Sequence, residues 1–138
     1  MSKQTRIISW NVNGVRSRLE HTARLINDLA PDVLCLQETK VPNELFPSAF
    51  FDDLGFSNQH IHGQKSHHGV AILARIPLLE PQKDVYAAQD DCRHVSVDVL
   101  LAKHMIQIHN FYVPSGGDEP DVSVNEKFAH KMRFWHDM

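Results

Sequence analysis

Hydrophobic residues cluster in short runs early in the chain and alternate with polar ones further on. Residues 6–10 form a short apolar segment, followed by the turn residues Asn11, Asn13 and Gly14. Beyond the turn, Val15, Leu19, Ala23, Leu25, Ile26 and Leu29 recur on or near one stripe, which predicts an amphipathic helix over 15–29. Ala30-Pro31-Asp32 ends it. The run Val33-Leu34-Cys35-Leu36 is continuously apolar, as in a strand buried on both faces. A second helix is expected over 43–54, interrupted near Pro47, with a weak strand over 56–62 and a stronger one over 69–75. Over 94–101, Val95, Val97 and Val99 point one way and Ser96 and Asp98 the other. Another strand follows over 105–112, and the intervening Leu101-Ala102-Lys103-His104 predicts a hairpin. Residues 114–120 read as a loop, and residues 125–138 as a helix with Phe128, Met132 and Trp135 at helical spacing. This order of elements reads as an α/β or α+β sheet protein.

The first strand–helix–strand unit carries a chemical consequence. A helix between two strands implies parallel pairing, so their carboxyl ends share one edge of the sheet. Asn11 and Glu38 then emerge together, at the edge where open α/β sheets bind ligands. An amide oxygen beside a carboxylate suits a hard cation such as Mg²⁺, which keeps several waters and needs few protein carboxylates. The same residues also fit a plainer account, with Asn11 closing an Asx-turn and Glu38 a solvated charge. Spacing alone leaves both open.

Composition narrows the class. Hydrophobic residues make up 42% and charged residues 22%, as in soluble globular proteins. No apolar run reaches the roughly 18 residues of a membrane span. The two cysteines, Cys35 and Cys92, form no framework, and a reducing, cytoplasmic setting is expected. The net charge of −3 disfavours a passive DNA binder, which would be basic. It leaves room for an enzyme whose acidic groups hold a metal while local Lys and Arg meet phosphates. The ten histidines are scattered apart from the pairs His60/His62 and His67/His68. These pairs lack a cysteine and an obvious fourth partner, so zinc is not expected from them.

Four segments then carry a resemblance. Trp10-Asn11-Val12-Asn13-Gly14-Val15-Arg16, Leu36-Gln37-Glu38-Thr39-Lys40 and Asn110-Phe111-Tyr112-Val113-Pro114-Ser115-Gly116-Gly117 are three of them. The fourth joins His62-Gly63-Gln64-Lys65 to Gly69-Val70-Ala71-Ile72-Leu73. In order and spacing they resemble the exonuclease III family of apurinic/apyrimidinic endonucleases, within the endonuclease/exonuclease/phosphatase superfamily. The resemblance runs over nearly the whole chain from Arg6.

The resemblance implies the amino-terminal half of a DNase I-like two-sheet β-sandwich flanked by helices, with residues 1–138 as a partial domain. It implies Mg²⁺, with Mn²⁺ as an alternative, and duplex DNA bearing abasic sites or 3′ ends as the partner. It further implies a monomer at full length. Asn11 is similar to the family's active-site asparagine, Glu38 to its metal carboxylate and Tyr112 to the tyrosine that contacts the scissile phosphate. Arg16 and Lys40 resemble phosphate or network contacts, and His67 stands where relatives place a DNA-contacting residue. Asn13 departs from relatives that carry Asp, which weakens any second-metal role there. Without the resemblance, Tyr112 would be a strand-end tyrosine, Arg16 and Lys40 solvated charges, and His67 part of a polar loop.

The family's general base comes from Gly-Asp-x-Asn and Ser-Asp-His segments, and neither occurs in these 138 residues. His136-Asp137 matches neither. The expectation is a chain truncated before much of the chemistry and inactive alone, with one face of its apolar sheet left for the missing half to cover. Two other readings stand beside it: a phosphatase of the same superfamily, and a non-catalytic fragment that binds DNA or a partner.

Overall fold

The computed structural model describes residues 4–138. Seven strands form two sheets. The first sheet contains β1 (Ile7–Asn11), β2 (Val33–Gln37), β3 (Asn58–His62) and β4 (Val70–Ala74) in the order β1-β2-β4-β3. The second contains β5 (Leu79–Gln82), β6 (His94–Leu101) and β7 (His104–Phe111) in that order. The helices are α1 (Leu19–Leu29), α2 (Ser48–Asp53) and α3 (Glu126–Asp137). This is the expected mixed α/β two-sheet architecture.

β1 and β2 pair in parallel, with Asn11 opposite Gln37. β2 is an interior strand, and all five of its residues are buried. One side of the first sheet packs under α1 and α2, where Ile26, Leu34, Leu36, Phe46, Phe51, Phe56 and Leu73 meet. The other side faces the second sheet, where Val33, Cys35, Ile72, Val95, Val97 and Val99 form a second core. The expectation of a bare sheet face is therefore corrected: the hairpin β6–β7 supplies the covering layer from within the chain. The valines that alternate along β6 are all fully buried because they point inward between the sheets.

Helix α3 lies against the second sheet through Phe134, whose ring sits 5.2 Å from Tyr86 and 6.2 Å from Phe111. Asn125 caps it, its side chain accepting from the backbone N–H of Lys127 and Phe128.

Local departures from the sequence pattern have physical causes. The helix expected over 15–29 opens as a 3-10 turn, Arg16–Arg18, before α1. Its first residues are tied sideways to the end of β2: Gly14 N–H donates to Glu38 O at 2.7 Å and Val15 N–H to Thr39 O at 3.1 Å. The helix over 43–54 divides at Pro47 into a 3-10 turn, Asn43–Leu45, and α2, as expected. Strand β5 escaped the sequence pattern. It is short, fully exposed, carries Pro81 and pairs irregularly with β6, as an edge strand does.

Candidate functional site

Three loops converge at the carboxyl ends of β1 and β2. Val12, Gly14 and Val15 donate backbone hydrogen bonds to Gln37, Glu38 and Thr39, while Thr39 N–H reaches Gly69 O at 3.2 Å and Lys40 N–H reaches His68 O at 2.8 Å. The segments that carry Asn11, Glu38 and His67 are thereby bonded into one rim. Gly69 permits this closeness: its φ is +95°, and a Cβ there would collide with Thr39 Oγ1. Asn13, Glu38 and Lys40 all adopt left-handed backbone angles, with φ of 46°, 56° and 55°. Such non-glycine geometry is costly and persists where surrounding bonds enforce it, commonly at functional sites.

Glu38 and Tyr112 meet directly. The Tyr112 hydroxyl donates to Glu38 Oε1. The other carboxylate oxygen lies 3.8 Å from Lys40 Nζ, and Lys40 Nζ also donates to Asn13 Oδ1 at 2.5 Å. Burial, then the hydrogen bond to Glu38, pushes the Tyr112 phenol up to about 12. It therefore remains a protonated donor through the neutral range.

Tyr112 is held from behind by Arg93. The guanidinium carbon sits 4.8 Å from the ring centroid. Nη1 donates to Tyr112 O at 3.2 Å, and Nε donates to Asp91 Oδ2 at 2.5 Å. Nη2 lies 3.2 Å from His68 Nε2, which then serves as an acceptor on a neutral ring. Burial first, then Arg93, lowers the pKa of His68, in keeping with that role. The His68 ring also stands 5.9 Å from Tyr112.

The structure brings some of the sequence candidates together and leaves others at the rim. Glu38, Lys40 and Tyr112 are in contact. Asn11 is the exposed last residue of β1, and its Oδ1 accepts from Asn13 N–H at 3.1 Å, so the Asx-turn anticipated as the plainer account is present. Arg16 is exposed in the 3-10 turn. His67 is exposed beside His68, with ring centroids 6.1 Å apart.

Sequence reasoning assigned no role to Arg93, His68, Gln37 or Asn110. Gln37 could have been noticed as the polar end of an otherwise apolar buried strand. Arg93 carries no sequence signal; only folding puts it over Tyr112. Among the described residues, the one grouping of three His, Cys, Asp or Glu donors is His62, Asp90 and Cys92, and it does not include Glu38.

Two face-to-face sheets with a carboxylate, a phenol and cations at their shared edge define a DNase I-like sandwich. The sequence model of the Endonuclease/Exonuclease/phosphatase family matches residues 8–137, and the chain belongs to that family. It is 32% identical over 135 residues to the exodeoxyribonuclease III of Haemophilus influenzae, covering 96% of this chain and 49% of the relative. It is 40% identical over 119 residues to a DNA-(apurinic or apyrimidinic site) endonuclease of Dictyostelium discoideum, covering 83% of this chain and 31% of that protein. An AP endonuclease structure from Archaeoglobus fulgidus superposes with a TM-score of 0.80 at 31% identity, over 97% of this chain and 51% of that one. A 3′ phosphatase from Neisseria bound to a product DNA hairpin superposes with a TM-score of 0.82 at 28% identity, over 97% of this chain and 49% of that one. The chain thus spans about half the length of these bacterial and archaeal relatives.

Proposed function

We propose that this chain contributes the Glu38–Tyr112 half of the active site of a Mg²⁺-dependent DNA-repair phosphodiesterase, acting at abasic sites and 3′ ends of duplex DNA. The observation that carries the reading is the hydrogen bond from the Tyr112 hydroxyl to Glu38 at the shared sheet edge. It sets a phenolic donor and a carboxylate side by side where a phosphate and its counter-cation would sit.

The donors at this edge are oxygens, one of them charged, which fits Mg²⁺ and its retained waters. Glu38 and Asn11 would hold it, with Mn²⁺ as a substitute. The ion would supply polarisation of a phosphate oxygen. Tyr112 would donate to a non-bridging phosphate oxygen as charge grows there. Arg16, Lys40 and His67 are placed on the bonded loops of the rim and would meet flanking phosphates. A cleft of about 290 Å³ is lined by Arg93, Pro114, Lys127 and Arg133, among others, together with the carboxylate of Glu126, which pairs with Arg133 at 2.7 Å.

The general-base segments of the family are absent from these 138 residues, so the chain is proposed to be a partial domain, inactive alone. A proton acceptor within reach of the attacking water is worth about 10²–10⁴-fold. At full length a cytoplasmic monomer is proposed. The free thiols Cys35 and Cys92 fit a reducing setting.

The test joins this chain to the part of the Haemophilus influenzae exodeoxyribonuclease III that it does not match. The chimera should nick abasic-site duplex with Mg²⁺, while the 138-residue chain should not. Incision by the chain alone, or release of phosphate from inositol phosphates in preference to DNA, would overturn the reading. The Neisseria 3′ phosphatase favours one further assay arm, phosphate release from 3′-phosphorylated DNA.

A further inference from the structure

The end of β3 and the loop between β5 and β6 bring an imidazole, a carboxylate and a thiol together away from Glu38. One ligand atom each from His62, Asp90 and Cys92 lies within 4.8 Å of the others. His62 Nε2 is 2.9 Å from Asp90 Oδ1, and His62 Nδ1 is 3.8 Å from Cys92 Sγ. The sequence pairing of histidines hid this group, because the cysteine that completes it lies 30 residues further on.

We propose that His62, Asp90 and Cys92 form a binding site for a zinc-class divalent cation, distinct from the oxygen site at Glu38. The hydrogen-bond pattern sets the ring up for it. A neutral imidazole that donates from Nε2 to a carboxylate must carry its lone pair on Nδ1, the atom facing Cys92. A histidine ligand oriented by a carboxylate on its far nitrogen is a recurring arrangement around zinc. Zinc bonds of about 2.3 Å to sulfur and about 2.0–2.1 Å to nitrogen, at a tetrahedral angle, place the two donors roughly 3.6 Å apart. The observed 3.8 Å needs almost no movement.

Binding requires Cys92 as the thiolate: with a dication at Sγ the S–H bond breaks, an S–metal bond forms, and one proton leaves to solvent. Thiolate, carboxylate and neutral imidazole then balance the dication. His62 and Cys92 are 8% and 6% exposed, so the two donors that would bind the ion are shielded from bulk water, while Asp90, on the far side of the ring, is 55% exposed in its side chain. Thiolate and imidazole select zinc-class ions, whereas the oxygens at Glu38 suit Mg²⁺.

The site would also brace the catalytic rim. Gly69 N–H donates to Cys92 O at 3.1 Å, and Tyr112 N–H donates to Arg93 O at 2.8 Å. A cation at Cys92 would pin the segment from which both bonds arise.

The experiment titrates Co²⁺ into the 138-residue chain and follows thiolate-to-cobalt charge-transfer absorption. One ion per chain, displaced by Zn²⁺ but not by millimolar Mg²⁺, is expected. Cys92→Ser should abolish the band. Asp90→Asn should weaken binding about 10–100-fold. Cys35→Ser and Glu38→Gln should leave the band intact. X-ray absorption of the zinc-loaded wild-type chain, which needs no variant to fold, should show one sulfur at about 2.3 Å. Absence of the band at Co²⁺ excess, its survival in Cys92→Ser, or a zinc shell without sulfur would each overturn the proposal.

Discussion

Gln37 and Asn110, 73 residues apart in sequence, share a hydrogen bond of 2.7 Å in the buried space between the two sheets. Asn110 also donates at 2.9 Å to Leu36 O and to Ala71 O, so a single side chain ties β2, β4 and β7 together. Gln37 Nε2 extends the link to Ser9 Oγ on β1 at 3.0 Å. This polar pin lies directly beneath the rim, one residue from Glu38 and two from Tyr112. It fixes how the two sheets present those groups to each other.

Asn110→Ala should therefore cost on the order of 3 kcal/mol of folding stability. Asn110 is 3% exposed, and its removal takes the amide donor from the Leu36 and Ala71 carbonyls and an acceptor from Gln37, with a cavity in the space between the sheets. Urea unfolding of the variant beside the wild type measures this. A shift within about 0.5 kcal/mol, typical of neutral surface changes, would show that the pin contributes nothing.

His94 should make stability fall as the pH drops. Its side chain is fully enclosed; Nδ1 accepts from Asp84 N–H at 2.9 Å, and Nε2 pairs with His109 Nδ1 at 2.9 Å. Burial first, then His109, lowers its pKa from 6.5 to about 4. The unfolded chain then takes up the proton before the folded one does. Stability is lost as pH falls from 6.5 and is fully lost by about 4, with a contribution on the order of 3 kcal/mol. His94→Gln should flatten the difference between unfolding curves at pH 7 and pH 4. Equal pH dependence in variant and wild type would remove His94 as the cause.

How much of this was legible depended on how local each signal is. The unbroken apolar run of β2 and the alternation along β6 are properties of neighbouring residues, and both strands appear where those patterns placed them. Convergence of Asn11 and Glu38 followed from parallel pairing, which needs only a helix between two strands. Arg93 over Tyr112, His68 beside both and Asn110 between the sheets depend on contacts across tens of residues, which no periodicity records. The covering of the first sheet by β6 and β7 was missed for the same reason. Alternation says that the valines face something apolar, not which element supplies it.

Glu38→Gln and Asn13→Ala should separate in the chimera. Glu38 offers the charge that a hard cation needs, whereas Asn13 offers an amide oxygen already engaged by Lys40 Nζ at 2.5 Å. The Mg²⁺ concentration for half-maximal incision should rise sharply in Glu38→Gln and little in Asn13→Ala. Superimposable magnesium titrations would take Glu38 out of the metal site.

Tyr112→Phe should lower turnover of abasic-site DNA by about 10²–10³-fold while leaving duplex affinity nearly unchanged. The phenyl ring stays, so the stacking of Arg93 at 4.8 Å and the neighbouring His68 ring persist. Only the hydroxyl is lost, and with it the donor that now faces Glu38. A donor that strengthens its bond as charge accumulates on phosphate acts on the transition state more than on the bound substrate, so the loss should fall on kcat rather than KM. Because the phenol titrates only at about 12, wild-type and variant pH profiles should run parallel across the neutral range. Steady-state kinetics of the chimera at several pH values measures both quantities. A loss confined to KM would recast Tyr112 as a binding group, and wild-type turnover would remove it from the mechanism.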